Sequence, residues 1–272
     1  LNYGIRYLES KGIADAKTDA WLLLEYAANI NRSFYYMHMH DKIDPGDAED
    51  YRGLLARRGE HVPVQYITGS AWIYGYEFRV NSHVLIPRQD TEVLIEEALK
   101  RICPGMKVLD LCTGSGCILL TLLKEEDITG VGADLSREAL LMAELNRKRM
   151  QVKATLIESD LFEKVGGRFD MIVSNPPYIA SGVVDTLEPE VKDQEPRMAL
   201  DGGSDGLDFY RRIIREAPSY LTEDGFLLME IGYDQGEAVR TMLDQAGYTE
   251  ITLIRDLAGL DRVAAARRGL AI

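Results

Sequence analysis

Short apolar segments alternate with amphipathic segments from Lys107 onward, and this alternation constrains the fold more than any other feature of the sequence. The apolar segments have the length of buried strands, and the segments between them have the apolar spacing of helices. This alternation predicts an α/β fold, a parallel sheet with helices on both faces. The predicted strands are 108–112, 128–135, 154–160, 169–175 and 225–232, followed by two closing strands at 248–254 and 262–267.

The part of the chain before this alternation has a different pattern. Residues 1–63 have the apolar spacing of short helices, and one of these helices would bury an apolar stripe that includes Leu22 and Tyr26. Residues 64–89 are rich in aromatic and β-branched side chains and contain glycines, which predicts a β-hairpin. We therefore expect a small helical domain, a hairpin linker and a larger domain at 90–272.

The charge balance argues against nucleic acid as a direct partner. The chain has 31 Lys and Arg against 44 Asp and Glu, a formal net charge of −13, and residues 76–272 carry −11 of it. Each phosphate contact needs a basic side chain, so we expect no direct nucleic-acid partner. Apolar runs are too short for a membrane span, and the first residues lack a secretory signal pattern. Three cysteines, an odd and sparse set, predict a reducing cytoplasm.

A glycine-rich loop, Asp110–Cys117, closes the first predicted strand. Gly114 and Gly116 would let the backbone approach a ligand closely, and the helix that follows offers unpaired N–H groups. A dinucleotide-binding loop would need a third glycine at position 119, which is Leu. Asp110 precedes the glycines, and a carboxylate there suits a cationic amino group better than a pyrophosphate.

Two further carboxylates end the next predicted strands. Asp134 lies 20 residues after Gly114, where a carboxylate commonly binds ribose hydroxyls. Asp160 ends the third strand and could accept a hydrogen bond from an adenine amino group. Either carboxylate alone could be an ordinary helix cap. Together with the glycine loop they predict a pocket for a nucleoside that carries an amino acid, such as S-adenosylmethionine.

The tetrapeptide Asn175-Pro176-Pro177-Tyr178 directly follows the fourth predicted strand. Its prolines stiffen the backbone and remove two N–H donors, while their carbonyls remain as acceptors. We expect the Asn175 side-chain oxygen and the Pro176 carbonyl to accept the two hydrogens of a planar NH2 group, with Tyr178 packed against it. Orienting that nitrogen toward a methyl group could accelerate its alkylation without a strong base. Taken alone, the tetrapeptide could be a proline turn that ends a strand.

The glycine loop and the tetrapeptide together resemble the signature of class I S-adenosylmethionine-dependent amino-methyltransferases. Other segments are similar to those of the peptide chain release factor glutamine methyltransferases: Gln65–Gly69, Ile86–Glu92, Gln194–Arg197, Ala199–Gly203 and Asp205–Leu207. The resemblance runs from residue 65 to residue 207. Cys112 stands where many members have Gly, and Leu161 stands where some have Trp.

This resemblance implies a Rossmann-like sheet of seven strands with one antiparallel strand, and a small N-terminal helical domain that docks the protein substrate. It implies methyl transfer from S-adenosylmethionine, with S-adenosylhomocysteine as product. The acceptor would be the side-chain amide nitrogen of the glutamine in the Gly-Gly-Gln motif of class 1 translation release factors.

Site residues follow from the same resemblance. Asn175, Pro176 and Tyr178 would be catalytic, and the whole tetrapeptide, with Pro177, would hold the glutamine. Together with the carboxylates assigned above from the strand ends, the predicted cofactor contacts are Asp110, Cys112, Thr113, Gly114, Ser115, Gly116, Asp134, Asp160, Leu161 and Asn175.

Three other functions remain open at this point. A DNA adenine-N6 methyltransferase would use the same corner for a flipped base, but it needs a basic groove for the duplex. A ribosomal-protein glutamine methyltransferase shares the tetrapeptide, although the short helical domain favours release factors. A nonenzymatic nucleoside-binding adaptor would have no use for an amine-orienting corner.

Two side-chain pairs also need an interpretation. His38 and His40 are two residues apart and would diverge on a helix, so we predict no metal site there. Glu195 and Arg197 could order a loop over the substrate, or they could pair with each other.

Overall fold

The computed structural model describes residues 1–269, and the chain divides into two compact units. The first unit comprises Leu1–Ser70 and Glu188–Gln194, and the second comprises Ala71–Leu187 and the chain from Glu195 onward. A search of the described helices for one of sufficient length and apolarity to cross a membrane finds none.

The elements alternate in the second unit as the sequence predicts. The helices are α1 (Asn2–Ser10), α2 (Ala16–Ala28), α3 (Arg32–Met37), α4 (Pro45–Gly59), α5 (Val64–Thr68), α6 (Thr91–Leu99), α7 (Cys117–Glu125), α8 (Arg137–Met150), α9 (Ser181–Val184), α10 (Pro189–Lys192), α11 (Asp208–Glu216) and α12 (Gly236–Gln245). The strands are β1 (Ser70–Ile73), β2 (Tyr76–Arg79), β3 (Lys107–Leu111), β4 (Thr129–Asp134), β5 (Ala154–Glu158), β6 (Phe169–Ser174), β7 (Leu221–Glu230), β8 (Thr249–Arg255) and β9 (Asp261–Arg267).

Helices α1 to α5 build the first unit around their own apolar core. Ala20 and Leu24 of α2 are buried in this core. Leu22 and Tyr26, which the sequence predicts to be buried, are instead 38% and 54% exposed. They lie one turn apart on the face of α2 opposite Ala20, so the predicted stripe is wrong at these two positions.

The predicted hairpin over residues 64–89 is wrong in its first part, because residues 64–68 form helix α5. Local end signals explain this. Pro63 stands in extended backbone at the start of α5, and Gly69, with φ +74°, ends the helix in the left-handed conformation. The hairpin is confined to β1 and β2, and residues 80–90 contain no strand.

The second unit is built on a seven-stranded sheet, counted over residues 1–269, with the order β5-β4-β3-β6-β7-β9-β8. Strand β9 runs antiparallel to both of its neighbours, and every other pair in this sheet is parallel. The predicted fold, a Rossmann-like sheet with one antiparallel strand, is confirmed. The inner strands are apolar and buried on both faces, as helices on both sides require.

Strand order reverses at β3, which positions a ligand site. The chain leaves β3 toward β4 and β5 on one side and returns to β6 on the other side. In open parallel sheets, ligands bind at the carboxyl ends of the strands where the order reverses. The glycine loop follows β3 and the Asn175 tetrapeptide follows β6, so both predicted motifs lie at this point.

Candidate active site

A cavity of about 300 Å³ lies at the carboxyl ends of these strands, a volume within the range of small-ligand pockets. Several lining residues were not predicted, among them His83, Thr91, Met198 and Phe209. The predicted residues that line it are Cys112, Thr113, Gly114, Ser115, Asp134, Asp160, Leu161, Asn175 and Pro177.

Backbone and side-chain hydrogen bonds hold the glycine loop in place. The Thr113 amide donates to the Ala133 carbonyl at 3.1 Å, and the buried Asn146 of α8 donates from Nδ2 to the Ser115 carbonyl at 2.9 Å. Gly116 has φ +82°, and a Cβ there would lie 2.8 Å from the side chain of Leu120. The backbone conformation therefore favours glycine at position 116, and a side chain there would displace Leu120.

Asp110 lies beneath the loop and is fully buried. Its Oδ2 accepts the Thr113 hydroxyl at 2.6 Å, while its Oδ1 has no hydrogen-bond partner among the described residues. Burial raises the pKa of this carboxyl to about 7, although the Thr113 hydroxyl opposes the rise. Within residues 1–269, Asp110 and Gly116 do not line the cavity. They shape the loop from below.

Asp134 connects the end of β4 to the glycine loop. Its Oδ2 accepts from the Gly114 amide and its Oδ1 accepts from the Ser136 amide, both at 2.8 Å. The cap of helix α8 is Ser136, whose hydroxyl accepts from the Ala139 amide. Asp134 is therefore more than a helix cap, and its carboxylate lines the cavity.

Asp160 and Leu161 form another part of the wall. Asp160 Oδ1 accepts from Arg212 Nη2 at 2.8 Å, so an ion pair from α11 fixes this carboxylate. Leu161 is buried and has φ +49°. A β-carbon in the left-handed region costs about 1 kcal/mol, and such strain is concentrated at functional sites.

The same backbone conformation occurs at Cys112, which has φ +58°. A glycine would adopt such a φ without strain, so the cysteine carries backbone strain that a glycine at this position would not have. Burial, with the nearby charges of Asp134 and Asp110, raises the pKa of the Cys112 thiol well above its ordinary value. Cys112 is therefore a neutral thiol at pH 7 and is not an activated nucleophile.

The tetrapeptide presents two of its four residues to the cavity, Asn175 and Pro177. Among the described residues, Pro176 and Tyr178 are not part of the cavity lining. Tyr178 is held from behind at both ends of the residue. Its hydroxyl donates to Glu230 at 3.3 Å, and its carbonyl accepts from Gln235 Nε2 at 2.8 Å.

The glycines of the segment 199–207 pack directly on the tetrapeptide. A Cβ at Gly202 would lie 2.8 Å from the Pro177 carbonyl oxygen, and one at Gly206 would lie 2.4 Å from the Tyr178 carbonyl oxygen. Contacts of this length are sterically forbidden, so the backbones can approach only because these residues lack a side chain. The glycines of this segment therefore support the tetrapeptide.

Glu195 and Arg197 do not pair with each other, so that alternative is wrong. The buried Glu195 forms an ion pair with Arg88 and accepts from the Ile86 amide at 3.4 Å, which ties its loop to the segment 86–92. The exposed Arg197 pairs with Asp185 at 2.6 Å and with Asp201 at 3.3 Å.

His38 and His40 contribute no metal cluster to the described chain. His38 Nδ1 forms a hydrogen bond with Asp41 at 2.8 Å. A search of residues 1–269 for three or more His, Cys, Asp or Glu side chains placed to hold a metal ion finds none.

Comparison with known proteins identifies the family. Two protein-family sequence models match this chain. The one described as "PrmC N-terminal domain" matches residues 1–69, and the one described as "Methyltransferase small domain" matches residues 88–190. The release factor glutamine methyltransferase of Geobacter sulfurreducens is 43% identical over 271 residues, which cover 99% of this chain and 95% of that protein. The chain belongs to the release factor glutamine methyltransferase family.

Further comparisons agree with this membership. The release factor glutamine methyltransferase of Cereibacter sphaeroides is 42% identical over 270 residues, with 98% of this chain and 96% of that protein covered. A crystal structure of a methyltransferase from Pyrococcus furiosus shares the fold, with a TM-score of 0.57 at 16% identity over 72% of this chain and 91% of that one. The family predicted from the motifs is confirmed, and with it the enzyme class, a methyltransferase.

Proposed function

We propose that this chain transfers a methyl group from S-adenosylmethionine to the side-chain amide nitrogen of the glutamine in the Gly-Gly-Gln motif of class 1 translation release factors. S-adenosylhomocysteine is the second product. The observation that carries the proposal is the placement of Asn175 in the same cavity as the glycine loop. Near-complete coverage of release factor glutamine methyltransferases at 42–43% identity supports the substrate.

The residues at the cavity fit S-adenosylmethionine. Asp134 presents a carboxylate suited to ribose hydroxyls, and Asp160 and Leu161 form a wall suited to an adenine ring. Asp110 lies under the loop and not in the cavity wall, and its Oδ1, which accepts no hydrogen bond within residues 1–269, favours a positive charge. When bound, the cofactor supplies a methyl group attached to a sulfonium, a good leaving group.

The tetrapeptide would act on the acceptor nitrogen. An amide nitrogen is a weak nucleophile because its lone pair is delocalised into the carbonyl. Asn175 Oδ1 and the Pro176 carbonyl would accept its two hydrogens and turn the lone pair toward the methyl carbon. The N–C bond forms as the C–S bond breaks, and the nitrogen, acidified by alkylation, then releases one proton to water.

The helical part of the chain would dock the protein substrate. We assign residues 1–63 to docking, and residues 64–70 with them, because helix α5 packs in the core of the same unit. Residues 71–89 would be the linker and residues 90–272 would carry methyl transfer. Four apolar side chains of α3 and the turn after it are exposed by 46–74%: Phe34, Tyr36, Met37 and Met39. An exposed apolar patch of this kind suits a protein partner better than nucleic acid, in keeping with a cytoplasmic translation enzyme.

The deciding experiment uses a methyl-labelled cofactor with purified class 1 release factor. Label should enter the factor that carries Gly-Gly-Gln and should not enter a Gly-Gly-Ala variant. Duplex DNA and ribosomal proteins are tested in parallel, because an adenine-N6 methyltransferase or a ribosomal-protein methyltransferase would label these instead. Labelling of either one in preference to the release factor would overturn the proposal.

A further inference from the structure

A short chain of polar side chains links Asn175 to Glu230 through Thr91, which also lines the cavity. Asn175 Nδ2 donates to Thr91 Oγ1 at 3.3 Å, and the Thr91 hydroxyl donates to Glu230 Oε2 at 2.7 Å. The Tyr178 hydroxyl donates to the other carboxylate oxygen, Oε1, at 3.3 Å. Thr91 is the first residue of α6 and Glu230 is the last residue of β7, so two rigid elements hold this chain.

The direction of these hydrogen bonds is fixed by the number of hydrogens available. A threonine hydroxyl has one hydrogen, and Thr91 gives it to Glu230. Its oxygen can then only accept, so the group of Asn175 that faces it must be the NH2. The carboxamide oxygen, Oδ1, therefore points away from Thr91, and within residues 1–269 no donor binds it.

Glu230 sets this direction in its ionised form, because a carboxylate can only accept hydrogen bonds. It is 1% exposed, and the 2.7 Å contact from Thr91 is the shorter of the two hydrogen bonds that its carboxylate accepts within residues 1–269. Burial raises the pKa of Glu230 to about 7, while the Thr91 hydroxyl and the charge of Arg262 oppose the rise. Arg262 is itself held by Asp90 at 3.2 Å and by Asp256 at 3.1 Å.

We propose that Thr91 and Glu230 are positioning residues that hold the Asn175 carboxamide with Nδ2 toward the protein and Oδ1 toward the cavity. An isolated asparagine could turn its amide over and offer a donor to the substrate, which would repel an incoming NH2 group. The hydrogen bonds from Asn175 to Thr91 and from Thr91 to Glu230 prevent this rotation. The inference deepens the proposed function, on which its catalytic consequence rests.

The first test removes the Thr91 hydroxyl, which links Asn175 to Glu230. T91V keeps the shape of the side chain but has no hydroxyl, so kcat for methyl transfer should fall at least tenfold. KM for release factor should rise less than kcat falls, and cofactor affinity should stay within about threefold. T91S returns the hydroxyl and should restore most of the lost kcat. Equal losses in T91V and T91S, or a loss confined to cofactor affinity, would show that Thr91 acts through packing alone.

The second test reverses the direction of the hydrogen bonds between residue 175, Thr91 and residue 230. N175D places two carboxylates on a single threonine hydroxyl, and it should lose more than 100-fold in kcat. In the double variant N175D/E230Q, the new amide can donate to Thr91, and Thr91 can donate to the new carboxylate. The double variant should be at least tenfold more active than N175D, although E230Q alone brings no gain. If the fold-losses in kcat of N175D and E230Q simply multiply in the double variant, Glu230 does not have the proposed role.

A spectroscopic readout separates this inference from the proposed function. The side-chain NH2 signals of Asn175, identified by their absence in N175D, should move in T91V and return in T91S. Unchanged signals in T91V would overturn the positioning role whatever the activity. Moved signals in an enzyme that does not methylate release factor would leave the positioning intact and overturn the proposed substrate.

Discussion

The Gly114 amide donates a hydrogen bond of 2.8 Å to Asp134, which ends the neighbouring strand 20 residues later. One carboxylate thus shapes the glycine loop and also lines the cavity where the ribose is expected. Removing this carboxylate should weaken cofactor binding more than it affects the acceptor glutamine. This gives the first of five predictions.

Asp134→Ala should weaken S-adenosylmethionine binding at least tenfold, about 1.4 kcal/mol, because charge-assisted hydrogen bonds are lost and the loop is released. Isothermal titration calorimetry measures the affinity directly. The matched control is Glu158→Ala, which removes the exposed carboxylate paired with Asp134 in the sheet register. Equal affinities of the Asp134 variant and the wild type would rule out the ribose assignment.

Asn175→Ala should separate binding from transfer. In the proposed function the side chain contributes one preorganised acceptor to the transition state, so its loss should reduce kcat by about 100-fold or more. Cofactor affinity should change by no more than a few fold, because the glycine loop and Asp134 are untouched. Single-turnover transfer to release factor and calorimetry together check both parts. Turnover near the wild-type rate would contradict the assigned role.

Gly206→Ala should displace the Asn175–Tyr178 tetrapeptide, against which Gly206 packs. The added Cβ would lie 2.4 Å from the Tyr178 carbonyl oxygen, and φ is +76°, so the corner must shift. We expect at least a tenfold loss in kcat with little change in cofactor affinity. Gly182→Ala is the control, since a Cβ there meets nothing within 4 Å. The two variants would have the same kcat if the segment 199–207 did not support the tetrapeptide.

Much of the fold could be predicted from the sequence because its main signals are local. The central strands β3 and β6 are mostly apolar runs. Asp44-Pro45 is likewise a local signal, since Asp44 caps helix α4 by accepting from the Gly46 amide. The motifs also lie where a parallel sheet must place them, at the ends of β3 and β6. The prediction for residues 64–68 was wrong because composition alone favoured a strand, whereas Pro63 marks the start of a helix and Gly69 marks its end.

The support of the site could not be predicted, because it depends on contacts between distant residues. Glu230 is a single carboxylate at the end of an apolar strand, and nothing nearby in sequence indicates that Thr91, 139 residues earlier, donates to it. The segment Ile86–Glu92 contains Thr91, and its family resemblance was the available signal. The positive φ of Leu161 has no local signature, because leucine rarely adopts that conformation.

Asp110→Asn should change how stability depends on pH. Burial raises the pKa of the Asp110 carboxyl from 3.8 to about 7, so the folded state binds this proton more tightly than the unfolded state. Its contribution is therefore favourable below about pH 4 and is lost as the pH rises through about 7. The variant should match the wild type near pH 4 and be more stable at pH 8, by roughly 2–4 kcal/mol.

Urea unfolding at the two pH values measures this difference, and calorimetry of the same variant tests the function. Cofactor affinity should fall, because the glycine loop, which Asp110 holds through the Thr113 hydroxyl, would lose the negative charge beneath it. Stability and binding would then move in opposite directions, as is common where a buried charge is kept for function. A variant that follows the wild-type stability at both pH values would show that Asp110 is ionised at no cost in the folded protein.

Arg58→Ala should destabilise the first unit, because three of its segments meet at this side chain. Arg58 Nε donates to Asp19 at 2.7 Å and Nη1 donates to Glu190 at 3.1 Å, and His61 also binds Glu190 at 3.0 Å. The Arg58 and Asp19 side chains are 8% and 12% exposed. Breaking a buried pair leaves an uncompensated charge, so the loss should be about 3 kcal/mol or more.

The unfolding of this unit can be followed through Trp21, which lies in its core. The second tryptophan, Trp72, is 66% exposed and can be replaced by Phe so that Trp21 alone reports. In that background, Arg58→Met separates charge from volume. It retains most of the apolar stem but leaves Asp19 unpaired, so it should lose nearly as much stability as Arg58→Ala. The double variant Asp19→Asn/Arg58→Met should recover part of that loss, since no unpaired charge remains at Asp19. If it recovers nothing, packing of the arginine stem, and not its charge, stabilises the unit.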